Sequence, residues 1–159
     1  MSAPVRESLL RILFQIEFSA VVSRHNGAFY AYAPQFDIWD IGDDIKGALN
    51  GMFDALIGML ELIEERASVE DYLASRGFSL KQGIYRTSRD NRRSTIREYL
   101  DGLEWDRDDP DEGRRTVIPV RLARVEIVLA QEFSQPVQPL VWEPRYDETQ
   151  VAQVAQAAR

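Results

Sequence analysis

The sequence predicts an α+β fold: a small antiparallel sheet, made of a β-hairpin plus a third strand, packed by an amphipathic helix and followed by a C-terminal α/β extension. Three observations predict it. Apolar residues alternate at period two on both sides of Asn26-Gly27. Apolar residues then recur at helical spacing from Ile45 to Ile63. A run rich in β-branched residues follows from Thr116 to Gln131. Period two marks a half-buried strand, and a stripe at 3.6-residue spacing marks a helix with one buried face.

Phe14, Ile16, Phe18, Ala20 and Val22 share one face of the first strand, between Gln15, Glu17, Ser19 and Val21. Arg24-His25-Asn26-Gly27 reads as a hairpin turn, because Asn-Gly supplies the positive φ angles that tight hairpins require. The return strand runs from Phe29 to Ala33, with Phe29, Ala31 and Ala33 on one face and Tyr30 and Tyr32 on the other. Pro34 ends it, since proline has no N–H for the ladder. A third short strand is expected over Phe36 to Ile41. Asp44 is placed to cap a helix by accepting from its orphan N–H groups. The stripe of Ile45, Ala48, Leu49, Met52, Phe53, Leu56, Met59, Leu60 and Ile63 follows. Gly47, Gly51 and Gly58 each cost that helix about 1 kcal/mol against Ala. The stripe must therefore be packed, and the small residues let another backbone come close. A second short helix runs from a Ser68 cap, with Asp71 in capping-box position, to a Gly77 stop.

Further on, Gly83 to Thr87 reads as a short strand and Ser94 to Leu103 as a helix. Asp106 to Arg115 reads as a charged loop, and 116–131 as one long strand or two. Pro136, Pro139 and Pro144 mark an extended segment, and 147–159 a frayed helix or flexible tail. The expected division is 8–80, an α+β domain; 81–135, an extension; and 136–159, a proline-containing segment and tail.

The 159 residues include no Cys and a single His, His25. Disulfides, thiolate metal sites and multi-histidine metal sites are thereby excluded. A 45% apolar and 28% charged composition is that of an ordinary globular chain rather than a disordered one. The longest apolar runs are too short to span a membrane. Arg6, Glu7, Arg11 and Glu17 interrupt the N-terminus, so it is not read as a signal peptide and the expected compartment is the cytoplasm. The net charge of −7 is uneven. Residues 1–80 hold 12 acidic and 6 basic groups, whereas residues 81–100 hold 2 and 6.

Four carboxylates, Asp37, Asp40, Asp43 and Asp44, fall within eight residues. They suit a helix start, where acidic side chains complement the positive dipole end. They also suit an acidic rim for a basic partner, or a divalent-cation site. Arg86, Arg89, Arg92, Arg93 and Arg97 lie among hydroxyl side chains and can contact phosphates, or else pair with the acidic loop at 106–112. Trp39, Trp105 and Trp142 suit the core or an interface, and His25 a turn. No Walker loop, dinucleotide fingerprint, nucleophile elbow or HExxH sequence occurs. No catalytic residue, metal or cofactor is expected.

The order of these elements carries a resemblance. Tyr32-Ala33-Pro34 closes the hairpin, Gly42-Asp43-Asp44 leads into a helix with Ala48-Leu49 and Ala55-Leu56, and Leu73 with Gly77 ends the next helix. Residues 14–77 resemble the N-terminal domain of HicB-like antitoxins. The resemblance implies a partial RNase H-like fold without nuclease activity, a homodimer, and masking of a small basic RNA-cleaving protein. The residues expected to meet that toxin-like partner are Tyr30, Tyr32, Asp37, Trp39, Asp40 and Asp43. Two alternatives stand beside it. One is a structural or adaptor subunit of a larger assembly. The other is a DNA-binding regulator acting through Arg86, Arg89, Arg92, Arg93 and Arg97.

Overall fold

The computed structural model describes residues 8–92, 115–129 and 140–157. Strand β1 (Ser8–His25) and β2 (Ala28–Ala33) form the expected hairpin, turning at Asn26 and Gly27 with φ of 51° and 78°. Strand β3 (Ile38–Gly42) starts later than the sequence pattern indicates. The Phe36 N–H donates to the Ala33 carbonyl at 3.1 Å and Asp37 takes a φ of 54°, so Phe36 belongs to a turn and drops into the core.

Helix α1 (Ile45–Arg66) is capped as expected, with the Asp44 carboxylate accepting from the Gly47 N–H at 2.6 Å. In α2 (Val69–Ser75) the Ser68 hydroxyl accepts from the Asp71 N–H, and Gly77, at φ 88°, makes the left-handed stop. Strands β4 (Phe78–Lys81) and β5 (Ile84–Thr87) form a second hairpin through Gln82 and Gly83, of which the sequence pattern revealed only the return strand. Strand β6 (Arg115–Leu129) is one long strand, not two. Strand β7 (Leu140–Tyr146) and helix α3 (Glu148–Ala157) occupy the stretch read as an extended segment and frayed tail. The helix expected over 94–103, most of the loop at 106–115 and Pro136 and Pro139 lie outside the described residues.

The sheet is larger than the three-stranded one expected. Among the described residues seven strands join, mostly antiparallel, in the order β3-β2-β1-β5-β4, with β6 on β1 and β7 on β6. Strand β6 pairs with β1 from Ser8 to Ser23, filling one edge. The other edge of β1 is shared: Val21 to His25 pair with β2, and Gln15 and Ile16 pair in parallel with Ile84 and Tyr85 of β5. The sheet thus draws on 8–80, 81–135 and 136–159 alike. Pro144 is accommodated because β7 is the last described strand on its side, where a missing N–H breaks no ladder.

The core lies between one sheet face and the helices. Ile16, Phe18, Ala20, Val22, Ala31 and Ala33 meet Ile45, Leu49, Met52, Phe53, Leu56 and Leu60 of α1. Phe18 sets its ring edge-on to Phe36 and Phe53, at 5.3 and 5.9 Å between centroids. Phe53 also stacks on Tyr146 of β7, and Val151 of α3 enters the same core. Buried Arg124 of β6 stacks over Trp142 at 4.5 Å and donates to Glu64 of α1 at 2.9 Å, so the charge brought into the sheet is partnered. No helix among the described residues is long and apolar enough to cross a membrane.

The α1 glycines are not equivalent. A Cβ at Gly58 would meet nothing within 4 Å. Gly58→Ala is therefore expected to stabilise the protein by about 0.5–1 kcal/mol, through helix propensity alone. The measurement is a higher urea midpoint with an unchanged slope.

Candidate functional site

Strand alternation sorts the side chains of the N-terminal sheet. Ala31 and Ala33 point into the core, so Tyr30 and Tyr32 point to the face away from α1. The β2–β3 register sets Tyr30 opposite Ile41 and Tyr32 opposite Trp39, which puts all four on that face. Trp39 is 56% exposed and Ile41 44%. The Tyr30 and Trp39 rings stack at 6.1 Å, and His25 meets Tyr30 edge-on at 5.4 Å. His25 is thus half-buried against an aromatic rather than a bare turn residue. The Tyr32 hydroxyl donates to the Asp37 carboxylate at 2.6 Å, which puts one acid on the aromatic rim.

The other aspartates divide. Asp40 alternates with Trp39 and Ile41, so it faces α1, where its carboxylate lies against Gly51 and accepts from the Ile41 N–H at 2.8 Å. The missing Gly51 side chain is what leaves room for it. Asp43 is exposed just ahead of the helix, and Asp44 is occupied as the cap. The four acids close in sequence are therefore not one cluster in space. Among the described residues no group of three or more His, Cys, Asp or Glu is arranged to hold a metal ion.

A second constellation lies on the same sheet face, farther along β1. Glu17 points away from the core, as its neighbours Ile16 and Phe18 point into it. The register sets Glu17 opposite Arg121 of β6, and Arg121 opposite Arg145 of β7. On the other edge, the parallel pairing of Ile16 with Tyr85 brings Arg86 beside Glu17. Arg86 donates to Glu17 at 3.2 Å, and Arg121 donates through two nitrogens at 2.9 and 3.1 Å. Arg92 approaches to 3.9 Å. A Ser88-capped turn, in which Ser88 accepts from the Asn91 and Arg92 N–H groups, carries Arg92 there.

Of the five arginines read as a patch, Arg86 and Arg92 meet at Glu17 and Arg89 is exposed. Arg93 and Arg97 lie outside the described residues. Among the described residues the acceptor found for the patch is Glu17, and the acidic loop at 106–112 lies outside the described residues. Arg121 and Arg145 belong to the constellation but were not singled out from sequence. Only the β1–β6–β7 register, which pairs residues far apart in the chain, reveals them.

Burial pushes the Glu17 carboxyl pKa up, but the hydrogen bonds and charges of Arg86 and Arg121 outweigh burial and hold it below its ordinary value. A depressed folded-state pKa contributes stability that is fully present above the unfolded pKa and is lost as pH falls through the lower folded value. Glu17→Gln is accordingly expected to flatten the acid side of the stability profile. Urea midpoints for the two proteins should differ most near neutral pH and converge as pH falls below the ordinary carboxylate range, through the lowered folded value. A gap that persists at low pH would assign the effect to packing.

Comparison with protein-family models, curated proteins and solved structures finds no match to this chain.

Proposed function

We propose that this protein is a non-catalytic protein-binding module of the HicB-like antitoxin type. Residues 8–80 supply its partial RNase H-like part, and it acts in the cytoplasm as a homodimer that masks a small basic protein. The observation that carries the reading is the exposed Trp39, stacked on Tyr30 and beside Tyr32 and the exposed Ile41, on the sheet face opposite α1. Tyrosine and tryptophan are the residues interfaces favour, because they give large, rigid contact area with a polar tip. The order hairpin, third strand, Asp-capped helix and short helix supports the same reading, as does the acidic excess of residues 1–80. Asp37 at the rim, with Asp43 at the helix entrance, favours a basic partner mainly through association rate and specificity.

The test is co-expression with any small basic protein encoded beside this gene, followed by calorimetry on the purified pair. A stable complex is expected, and Trp39→Ala should weaken it by about tenfold to thirtyfold, as loss of a central aromatic anchor does. If no such protein binds, or if Trp39→Ala binds as tightly as the parent, the masking surface is not here. A structural subunit of a larger assembly is the second reading. It is favoured by Leu140 and Val141, 46% and 38% exposed on the terminal described strand β7. The mass in solution separates the two, with a lone dimer supporting the first and a higher assembly the second.

A further inference from the structure

We propose that the cross-strand row Arg86, Glu17, Arg121 and Arg145, flanked by Arg92, is a binding site for a small, multiply charged phosphorylated anion of the pyrophosphate type. The row runs across β5, β1, β6 and β7. At a strand spacing of about 4.8 Å it is about 14 Å long. It is set by ladder register and not by loop tips, so its charges hold their positions before any ligand arrives.

Charge and donor counts favour a further anion. One carboxylate is satisfied by one guanidinium, yet three converge on Glu17. Among the described residues that leaves two positive charges in excess around it. Each guanidinium carries five N–H donors in a planar fork. Arg86 spends its Nε on Glu17, and Arg121 its Nε and one terminal nitrogen. The arginine side chains at 86, 92 and 121 remain 42%, 30% and 40% exposed, so their remaining donors reach solvent. The acids at the end of the row are already engaged. Glu143 pairs with Arg145 at 3.6 Å, and Asp147 accepts from Thr149 and Gln150 as the cap of α3.

Beside the row lies an open recess of about 410 Å³, bordered by Gln15, Glu17, Pro119, Arg121, Arg145 and Asp147. That is the size range of small-molecule sites. Planar guanidinium forks match phosphate oxygens two at a time, as they do carboxylate oxygens. The excess of two charges calls for a ligand with more than one negative charge. A small ligand is favoured over a nucleic-acid strand because the whole chain carries −7. A long polyanion meets that wider field, whereas a short one senses charges within about one Debye length, roughly 8 Å.

In this arrangement Glu17 is an internal counter-ion. It holds the forks aligned when the site is empty and repels the anion when the site is filled. The test is calorimetric titration of the full chain with pyrophosphate, adenosine triphosphate and a short single-stranded oligonucleotide, with melting curves to check that each variant folds. Pyrophosphate and the triphosphate are expected to bind. Arg121→Gln and Arg145→Gln should each weaken them by about tenfold, the loss of one charge-assisted contact. Glu17→Gln should bind them at least as tightly as the parent. Arg145→Gln carries the least folding risk, since the ion pair described for Arg145 is with Glu143, a half-buried neighbour on its own strand.

Absence of heat with both small ligands would overturn the proposal, as would binding that Arg145→Gln and Arg121→Gln leave unchanged. Binding of the oligonucleotide alone, falling steeply with salt, would also overturn it and assign the row to nucleic acid instead. None of these outcomes depends on whether the aromatic face of β2 and β3 binds protein.

Discussion

Phe53→Ala is expected to lower the free energy of unfolding by about 3–5 kcal/mol, the cost of emptying a large aromatic site in a closed core. Phe53 is fully buried, and its ring bridges two regions of the fold: Phe18 of β1 meets it edge-on at 5.9 Å and Tyr146 of β7 stacks on it at 6.1 Å. Both partners sit on strands locked in long ladders, so the surroundings cannot collapse easily into the void. Domains of ordinary size hold only about 5–15 kcal/mol in total. The variant should therefore show a much lower urea midpoint, with loss of the α3 and β7 signals in the same transition as β1. Leu62→Ala on the same helix is the contrast. Leu62 is 55% exposed, so its truncation should fall within about 0.5 kcal/mol. Similar effects from the two variants would mean that burial of the α1 stripe does not dominate stability.

The stripe that places Phe53 was legible in the sequence because both of its causes are local. Helical spacing from Ile45 to Ile63 and the Asp44 cap need nothing beyond neighbouring residues, and Ile45, Leu49, Met52, Phe53, Leu56 and Leu60 are all buried as the spacing implies. The hairpin was legible for the same reason, through Asn26-Gly27 and period two. The β4–β5 hairpin was half missed because Phe78 to Lys81 is short and has one buried residue, Phe78, too few to show a period. Pro144 speaks against a central strand, so the sequence shows β7 as merely extended, and only the topology reveals that β7 is the last described strand on its side.

Nearness in sequence groups the four aspartates. Strand alternation, which is also legible, separates Asp40 from Trp39 once β3 is given its observed start at Ile38. The arginine row was beyond sequence reading. Glu17, Arg86, Arg121 and Arg145 meet through three separate registers, and register depends on the assembled sheet.

Gly42→Val should destabilise by about 3 kcal/mol, at the upper end of what overpacking costs. Gly42 ends β3 where the strand passes directly over the first turn of α1. A Cβ there would stand 2.8 Å from the Gly47 carbonyl carbon and 3.0 Å from the Ala48 Cα, with the Ala48 nitrogen nearer still. All three are main-chain atoms of a capped helix, so no rotamer change relieves the contact and α1 must lift from the sheet. Valine favours strands over glycine, but that preference is worth at most about 1 kcal/mol and cannot offset the collision.

Gly51→Ala tests the argument from the other side. Its Cβ would also collide, but with the Asp40 carboxylate, the far end of a side chain that can swing away. The helix regains about 1 kcal/mol of propensity in return. Gly51→Ala should therefore lie close to the parent protein in urea midpoint while Gly42→Val falls well below it. If both fall equally, the Asp40 carboxylate is as rigidly held as the α1 backbone. If neither falls, strand β3 does not lie against α1 this closely, and the aromatic face that depends on its register has no fixed support.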